Sequence, residues 1–391
     1  MTKHKIKTTM TGSWFRPPEI LELLKSSPTG EIDYSHRAAI IDAERRALRS
    51  QLRPDGNDRG LDYPSNGEQR KGGYTQFVPS RYSGFSSTEK ASMDFGPTLI
   101  QEFQESNPAL FATLQTAGGA VFASPKVVDR LEYVGEEKAR QEALDAVQIA
   151  REEGAEHIFV NSPSPGVLTI FFPRSEVYAS HFDYLNAYAE AQRKEYKAIL
   201  DADPDLLLQI DAPDLAMSKQ IANGWGVSFE DALPVHVEAI NKAVKGLPKE
   251  RIRVHYCYGN YVGSHKSDAD FDFVLSEIVK LEAGTIVGEA ANAHHEGDSL
   301  VLEDYVNEHG WPKGLKFAFG VIDVKTQIVE TPQTVASRLE RPVKVLGAEN
   351  VLGGTDCGFE TFAFFGNVTQ AVAEQKLKAL VRGAELASER F

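Results

Sequence analysis

Cysteine is scarce in this chain, two residues in 391, so no disulfide framework can hold the fold. Two thiols fit a reducing compartment, where a persisting cysteine is either buried packing or chemistry. Positive charge is also short: 42 Lys and Arg stand against 56 Asp and Glu, a formal net charge of −14. Such a surface repels phosphate backbones and anionic lipid, which argues against nucleic-acid and membrane partners. Long hydrophobic runs are missing as well. The longest, such as GVLTIFF at 166 to 172, fall far short of the ~20 residues a membrane-spanning helix needs. No apolar signal-peptide stretch follows the basic residues of the N-terminal segment, so a cytoplasmic protein is expected. Neither GxGxxG nor GxxxxGK[ST] occurs, which removes the sequence marks of dinucleotide and P-loop sites.

What is present is an ordinary globular composition, 42% hydrophobic and 25% charged, and a repeated pattern. Short apolar or β-branched runs end in Gly, Pro, Asp or Asn and are followed by longer helical stretches. Eight such runs are TTMTGS at 8 to 13, LDYPSNGE at 61 to 68, HIFVNSPSPG at 157 to 166, LLLQIDAP at 206 to 213, IRVHYCYGN at 252 to 260, GTIVGEAAN at 284 to 292, KFAFGVIDVK at 316 to 325 and NVLGGTDCGF at 350 to 359. Between them, the stretch from Glu137 sets Ala143, Leu144, Val147 and Ala150 on one helical face and stops at Gly154. FDFVLSEIVKLEAG does the same with Phe271, Val274, Leu275, Ile278 and Leu281, ending at Gly284. Strand–helix alternation argues for parallel strands with crossover helices. Eight units predict an α/β chain folded as one (β/α)8 TIM barrel over residues 1–391, a fold that needs roughly 250 residues. Most of the surplus lies in a large insertion between strands 2 and 3, residues 69–135, rich in Gly, Ser, Tyr and Phe. It reads as a lid or donor-binding surface, with an ordered packing hairpin as the alternative. GGAVFASP at 118 to 125 is assigned to that hairpin; a doubly wound open sheet using it as a ninth strand is the competing fold.

In such a barrel the active site lies at the C-terminal ends of the strands, and each run is apolar early and polar late. The second ends in Gly67-Glu68, the fourth in Asp211, the fifth in His255 and Cys257, the sixth in Glu289, the seventh in Asp323 and the eighth in Asp356-Cys357. In the fifth run the alternation of a strand sends Ile252, Val254 and Tyr256 to one face and Arg253, His255 and Cys257 to the other, with Arg253 near the barrel bottom. His255 and Cys257 then project side by side at the mouth, level with Cys357. A histidine, two cysteines and the Glu289 carboxylate on the intervening strand form a Zn²⁺ ligand set, since thiolates select zinc over magnesium or calcium. An isolated HxC is more often buried packing than a ligand pair, and Glu68 or Asp211 alone is more often a helix cap or surface charge. Their coincidence at strand ends is what favours function. His294-His295 with Glu296 and Asp298 looks metal-like, but a loop or supporting role fits it as well. Ser13 and Ser162 have no histidine nearby in sequence and are not assigned as nucleophiles.

These residues, TTMTGS, the GE at 67 to 68, QIDAP, HYC, Glu289, GVID and TDCGF, come in the order found in the catalytic barrel of cobalamin-independent methionine synthase and its single-barrel relatives, and the chain resembles that family from about residue 6 to 390. The resemblance implies that His255, Cys257, Glu289 and Cys357 hold Zn²⁺. It further implies that Glu68 and Asp211 hold the amino group of homocysteine, and that Gly12 and Ser13 give donors to its carboxylate. Two departures stand out. Asp211-Ala212-Pro213 replaces the family's acidic IDEP, and the stretch Val167–Phe172 lacks the tryptophan that stacks on folate. The YGNYVGSH segment at 258 to 265 is similar to epoxyalkane:coenzyme M transferase, a branch that uses zinc-thiolate chemistry to open an epoxide.

The chemistry expected is alkyl transfer to sulfur. A free thiol is mostly protonated at neutral pH, and coordination to Zn²⁺ deprotonates it outright. Two thiolates and a glutamate leave the centre net negative and the bound sulfur electron-rich. Glu289 is expected to loosen when the substrate thiol arrives, and Asp323 to serve a proton at the leaving group. The expected partners are a small-molecule thiol and an alkyl donor, with oligomeric state, a homo-oligomer included, left open. Thiol addition to an epoxide is the second reading. A cofactor-free decarboxylase on a related barrel and a zinc-storing scaffold are the others.

Overall fold

A computed structural model describes residues 4–391 apart from 55, 57–58, 93–95, 110, 113–122 and 222–224. Its centre is a curled sheet of seven parallel strands. β1 (Lys7–Thr8) is followed in the chain by the hairpin strands β2 (Tyr82–Ser92) and β3 (Ala123–Tyr133). Then come β4 (Ile158–Pro163), β5 (Leu206–Asp211), β6 (Ile252–Tyr256), β7 (Thr285–Gly288), β8 (Lys316–Ile322) and β9 (Val351–Thr355). The spatial order β1-β9-β8-β7-β6-β5-β4 leaves one gap, between β4 and β1. The second run fills it by single bridges, Thr9 to Tyr63 and Ser65 to Phe159. Tyr63 N–H donates to the Thr8 carbonyl at 3.0 Å and Phe159 N–H to the Pro64 carbonyl at 3.1 Å. Pro64 has no N–H, so this segment cannot form a continuous ladder. The eight-run barrel is therefore present as seven regular strands and one bridging segment.

Alternation on β6 falls as expected. Ile252, Val254 and Tyr256 are fully buried in the main core, where the helices pack. Arg253 turns inward, its guanidinium 4.1 Å from the Phe159 ring centre and donating to Thr9 Oγ1 at 2.9 Å, which fills the barrel floor. The helix Glu136–Glu153 ends at Gly154 in the left-handed region, φ +77°, as the sequence predicts. The helix from Phe271 stops at Ile278, well before Gly284. A backbone turn takes over there, with Lys280 and Leu281 N–H groups bonded three residues back, while Leu281 stays buried.

The insertion carries a two-stranded antiparallel hairpin, β2 with β3, outside the barrel sheet. Ala123–Pro125 thus belongs to the hairpin and not to an open sheet; residues 118–122 of that run lie outside the described residues. The hairpin root is fixed by Arg81, which is fully buried and ion-paired to Glu31, Glu142 and Glu195 at 2.6, 2.7 and 3.2 Å. The helix Gly96–Ser106 crosses over the barrel mouth, tied to the β6 loop by Tyr261 Oη on Glu102 and Lys266 on Glu105. Among the described residues, no helix is long and apolar enough to cross a membrane.

Candidate active site

The C-terminal ends of β5, β6 and β9 converge on one cavity of about 520 Å³, bordered by Ser13, Glu68, Asp211, His255, Cys257 and Cys357. Parallel pairing sets the level: Asp211 stands opposite His255, and His255 opposite Val287. Ligand atoms of His255, Cys257 and Cys357 all lie within 4.8 Å of one another, and all three residues are buried. His255 Nδ1 meets the Val287 carbonyl at 3.2 Å, which sets that nitrogen as the donor, and Nε2 has no hydrogen-bond partner. An orphaned, buried imidazole nitrogen beside two thiols is the donor set that suits Zn²⁺. The adjacent Cys257 thiol holds the Cys357 thiol well below its ordinary range, against burial, while Cys257 is pushed up by the same pairing.

Glu289 is fully buried next to this cluster but turned to other partners. Its carboxylate accepts from Tyr258 N–H at 3.0 Å, from Asn292 Nδ2, and from the Lys325 ammonium in an ion pair. Burial alone would raise its pKa, yet Lys325 holds it below the usual range. The structure therefore brings together three of the four expected ligands, with the fourth adjacent and charge-compensated.

The two inner carboxylates are held differently. Asp211 accepts from Asn161 Nδ2 and Gln209 Nε2, each at 2.8 Å, and both amides are fixed by the Thr11 carbonyl. Glu68 sits at φ +58°, a strained backbone for a glutamate, and its Oε2 is buried without a partner. Burial pushes Glu68 up to about 8, with Asp211 adding to the shift, and burial also lifts Asp211 to about 6. Two carboxylates with spare acceptor capacity facing one cavity call for a cation that donates several hydrogen bonds.

Ser13 borders the cavity, packed so closely that a Cβ on Gly358 would lie 1.9 Å from its Oγ. Gly12 is not among the bordering residues; at φ +122° a side chain there would strike Asn161 at 2.4 Å, so its role is to let the first strand turn beneath the site. Asp323, expected to serve a proton to the leaving group, is also outside the lining. Its Oδ1 accepts from Lys325 N–H at 2.8 Å, shaping the loop that delivers the Lys325 ammonium to Glu289.

Sequence reasoning passed over Lys325 and assigned no role to Asp356. The latter, inside TDCGF, accepts from the backbone N–H groups of Ala290, Ala291 and Asn292 at 2.9, 2.8 and 3.1 Å, pinning the Glu289 loop to the last strand. The alternation Asp323, Lys325 along the seventh run was the available signal for Lys325. His295 is buried, bonded to Asp268 and Asp298 at 2.9 and 3.0 Å, while its neighbour His294 is more open. His295 therefore braces loops behind the site, while the exposed His294 only lies near it and Asp268, ligand atoms within 4.8 Å.

Residues 166–385 match the family described as Cobalamin-independent synthase, Catalytic domain. The chain is 24% identical over 384 residues to a methionine synthase of Thermococcus kodakarensis, covering 97% of this chain and 93% of the relative. It is 25% identical over 379 residues to one of Pyrococcus furiosus, covering 96% and 91%. In fold it is similar to the B12-independent methionine synthase from Shewanella sp. W3-18-1 solved with selenomethionine, with a TM-score of 0.67 at 20% identity over 99% of this chain and 98% of that one.

Proposed function

The chain belongs to the cobalamin-independent synthase catalytic-domain family, and from that premise we propose that it transfers a methyl or other alkyl group to a small thiol, homocysteine foremost. The observation that carries the reading is the meeting of His255, Cys257 and Cys357 ligand atoms in the same cavity as Glu68 and Asp211. His255, Cys257 and Cys357 would hold Zn²⁺, with Glu289 as fourth ligand. Bound zinc would supply a thiolate at neutral pH, because coordination removes the thiol proton.

The chain's own residues do the rest. Glu68 Oε2 and the Asp211 carboxylate take the ammonium of an amino-acid thiol, and Asn161 with Gln209 keeps Asp211 oriented before substrate arrives. Ser13 offers a hydroxyl to the substrate carboxylate. Lys325, Asn292 and the Tyr258 N–H already satisfy Glu289, so its departure from a metal would leave no buried charge unpaired. Thiol addition to an epoxide is the second reading, favoured by the apolar outer wall of the cavity.

Protein purified without chelator is expected to carry about one zinc per chain. Cys257→Ser and Cys357→Ser should abolish thioether formation while circular dichroism stays native. Metal-free active protein, or turnover surviving both substitutions, would overturn the assignment.

A further inference from the structure

The cavity has two unlike ends. Its inner end is polar and anionic, and its outer wall is apolar, built from Leu99, Phe103, Phe171, Met217, Tyr261 and Phe362. The aromatic rings there contact one another: Phe171 and Phe362 centres are 5.9 Å apart, Phe103 and Tyr261 6.2 Å. Among the described residues that border the cavity there is no lysine or arginine. The segments outside the described set near the insertion, MDF at 93 to 95 and TLQTAGGAVF at 113 to 122, contain none in sequence either. Of the interior cations behind the site, Arg16 is taken by Glu360, Lys71 by Glu142 and Lys325 by Glu289, and Arg253 lies on the barrel floor against Phe159 and Thr9, outside the cavity lining. Lys266 on the β6 loop is paired to Glu105.

We propose that the electrophile is an uncharged, largely apolar molecule seated against this aromatic wall, to which the helix Gly96–Ser106 contributes Leu99 and Phe103, a proposal that rests on the thiol-alkylation reading above. An anionic body in this place would lose its hydration without gaining a cation and would face the Glu68 and Asp211 carboxylates. A neutral aryl or alkyl body gains apolar burial and ring contacts instead. The step balances without any redox partner. A sulfur lone pair forms the new C–S bond, the C–X bond breaks with its electron pair going to X, and the thiol proton ends on X. In an epoxide X is the ring oxygen and stays in the product as a hydroxyl.

The test uses the zinc-loaded full chain and two non-reacting probes that differ by one carboxylate, naphthalene and 2-naphthoate, titrated by probe fluorescence. Naphthalene is expected to bind at least about tenfold more tightly, since an unpaired buried carboxylate is strongly disfavoured. Ile100→Lys, at a half-exposed position on the same wall, should narrow or invert that ratio with zinc content unchanged. Equal or tighter binding of naphthoate by the unsubstituted protein, or no binding of naphthalene, overturns the proposal. A second arm supplies homocysteine with either styrene oxide or triglutamyl 5-methyltetrahydrofolate and weighs the thioether formed. Faster turnover of the polyglutamate overturns the inference and leaves thiol alkylation standing. Absence of any thioether from zinc-loaded protein refutes the alkylation reading, and the probe ratio still decides whether the wall selects neutral ligands.

Discussion

Lys325 and Glu289 form the most exposed test of the site's electrostatics at the level of single residues. Both are buried, and the ammonium stands alone against a carboxylate whose other partners are neutral donors. Removing one member of a buried pair typically costs about 3–5 kcal/mol because the other charge is stranded, whereas removing both costs far less. Lys325→Met is therefore expected to lower the urea-unfolding free energy of the zinc-free protein by about that range, and Glu289→Gln with Lys325→Met to recover most of it. A double variant no more stable than Lys325→Met would refute the coupling. The convergence of His255, Cys257 and Cys357 was legible because the chain has only two cysteines and both end strand-like runs. Lys325 was not, since a lysine at a strand end reads as surface until the carboxylate it meets, 36 positions earlier, is known to be beside it. Asp323 lies outside the cavity lining for a matching reason: a strand-end carboxylate points at the mouth only if the following loop lets it, and here its Oδ1 accepts from the Lys325 N–H.

At the scale of elements, the loop after β7 and the helix His181–Ala202 carry histidines that titrate in opposite senses. His181, at the first turn of that helix, lies 3.1 Å from His236, which in turn reaches Asp214 at 2.8 Å. Burial, with help from His236, pushes His181 down to about 3. The unfolded chain takes up this proton below about 6.5 and the folded protein does not until about pH 3, so stability falls as pH drops across that window. His295 behaves conversely. Against the opposing pull of burial, its bonds to Asp268 and Asp298 raise it to about 9, so its contribution is complete below about pH 6.5 and lost as pH rises through about 9. Each pH unit within a window is worth up to about 1.4 kcal/mol. Urea unfolding from pH 5 to 9.5 should show His181→Gln flattening the acid side only and His295→Gln the alkaline side only; a variant that leaves both slopes unchanged would sink its assignment. Helix positions were readable from periodicity, as Gly154 shows. The early end at Ile278 was not, because the apolar spacing continues through Leu281 although the backbone has already turned. Nor did the sequence disclose that Arg81 would gather three glutamates from distant segments.

Across the whole molecule, the count of eight apolar-then-polar runs anticipated the barrel, and the large insertion between the second and third runs proved to be a hairpin with a helix over the mouth. Pro64 sits in the middle of the second run, and its missing N–H explains why that run bridges its neighbours at single points while the other seven pair as strands. The apolar roof over the cavity was foreshadowed by the insertion's aromatic content, but its selectivity depends on where the nearby cations went: Arg16, Lys71 and Lys325 were drawn inward to carboxylates.

The bridging segment also marks where the ring is easiest to open. Strands β5, β6 and β7 are joined by full parallel ladders, whereas next to Pro64 the backbone bonds are the isolated ones from the Tyr63 and Phe159 amides, supplemented by side-chain bonds such as Ser65 Oγ to the Gly12 carbonyl. Native-state hydrogen exchange should therefore find these two amides released by small fluctuations, well below the global unfolding free energy, while those of β6 exchange only with complete unfolding. Equal protection at both places would contradict this order. If it holds, the barrel has a built-in first step of disassembly on the side facing Glu68, and ligands that bridge Glu68 and Asp211 would close that clasp as they bind.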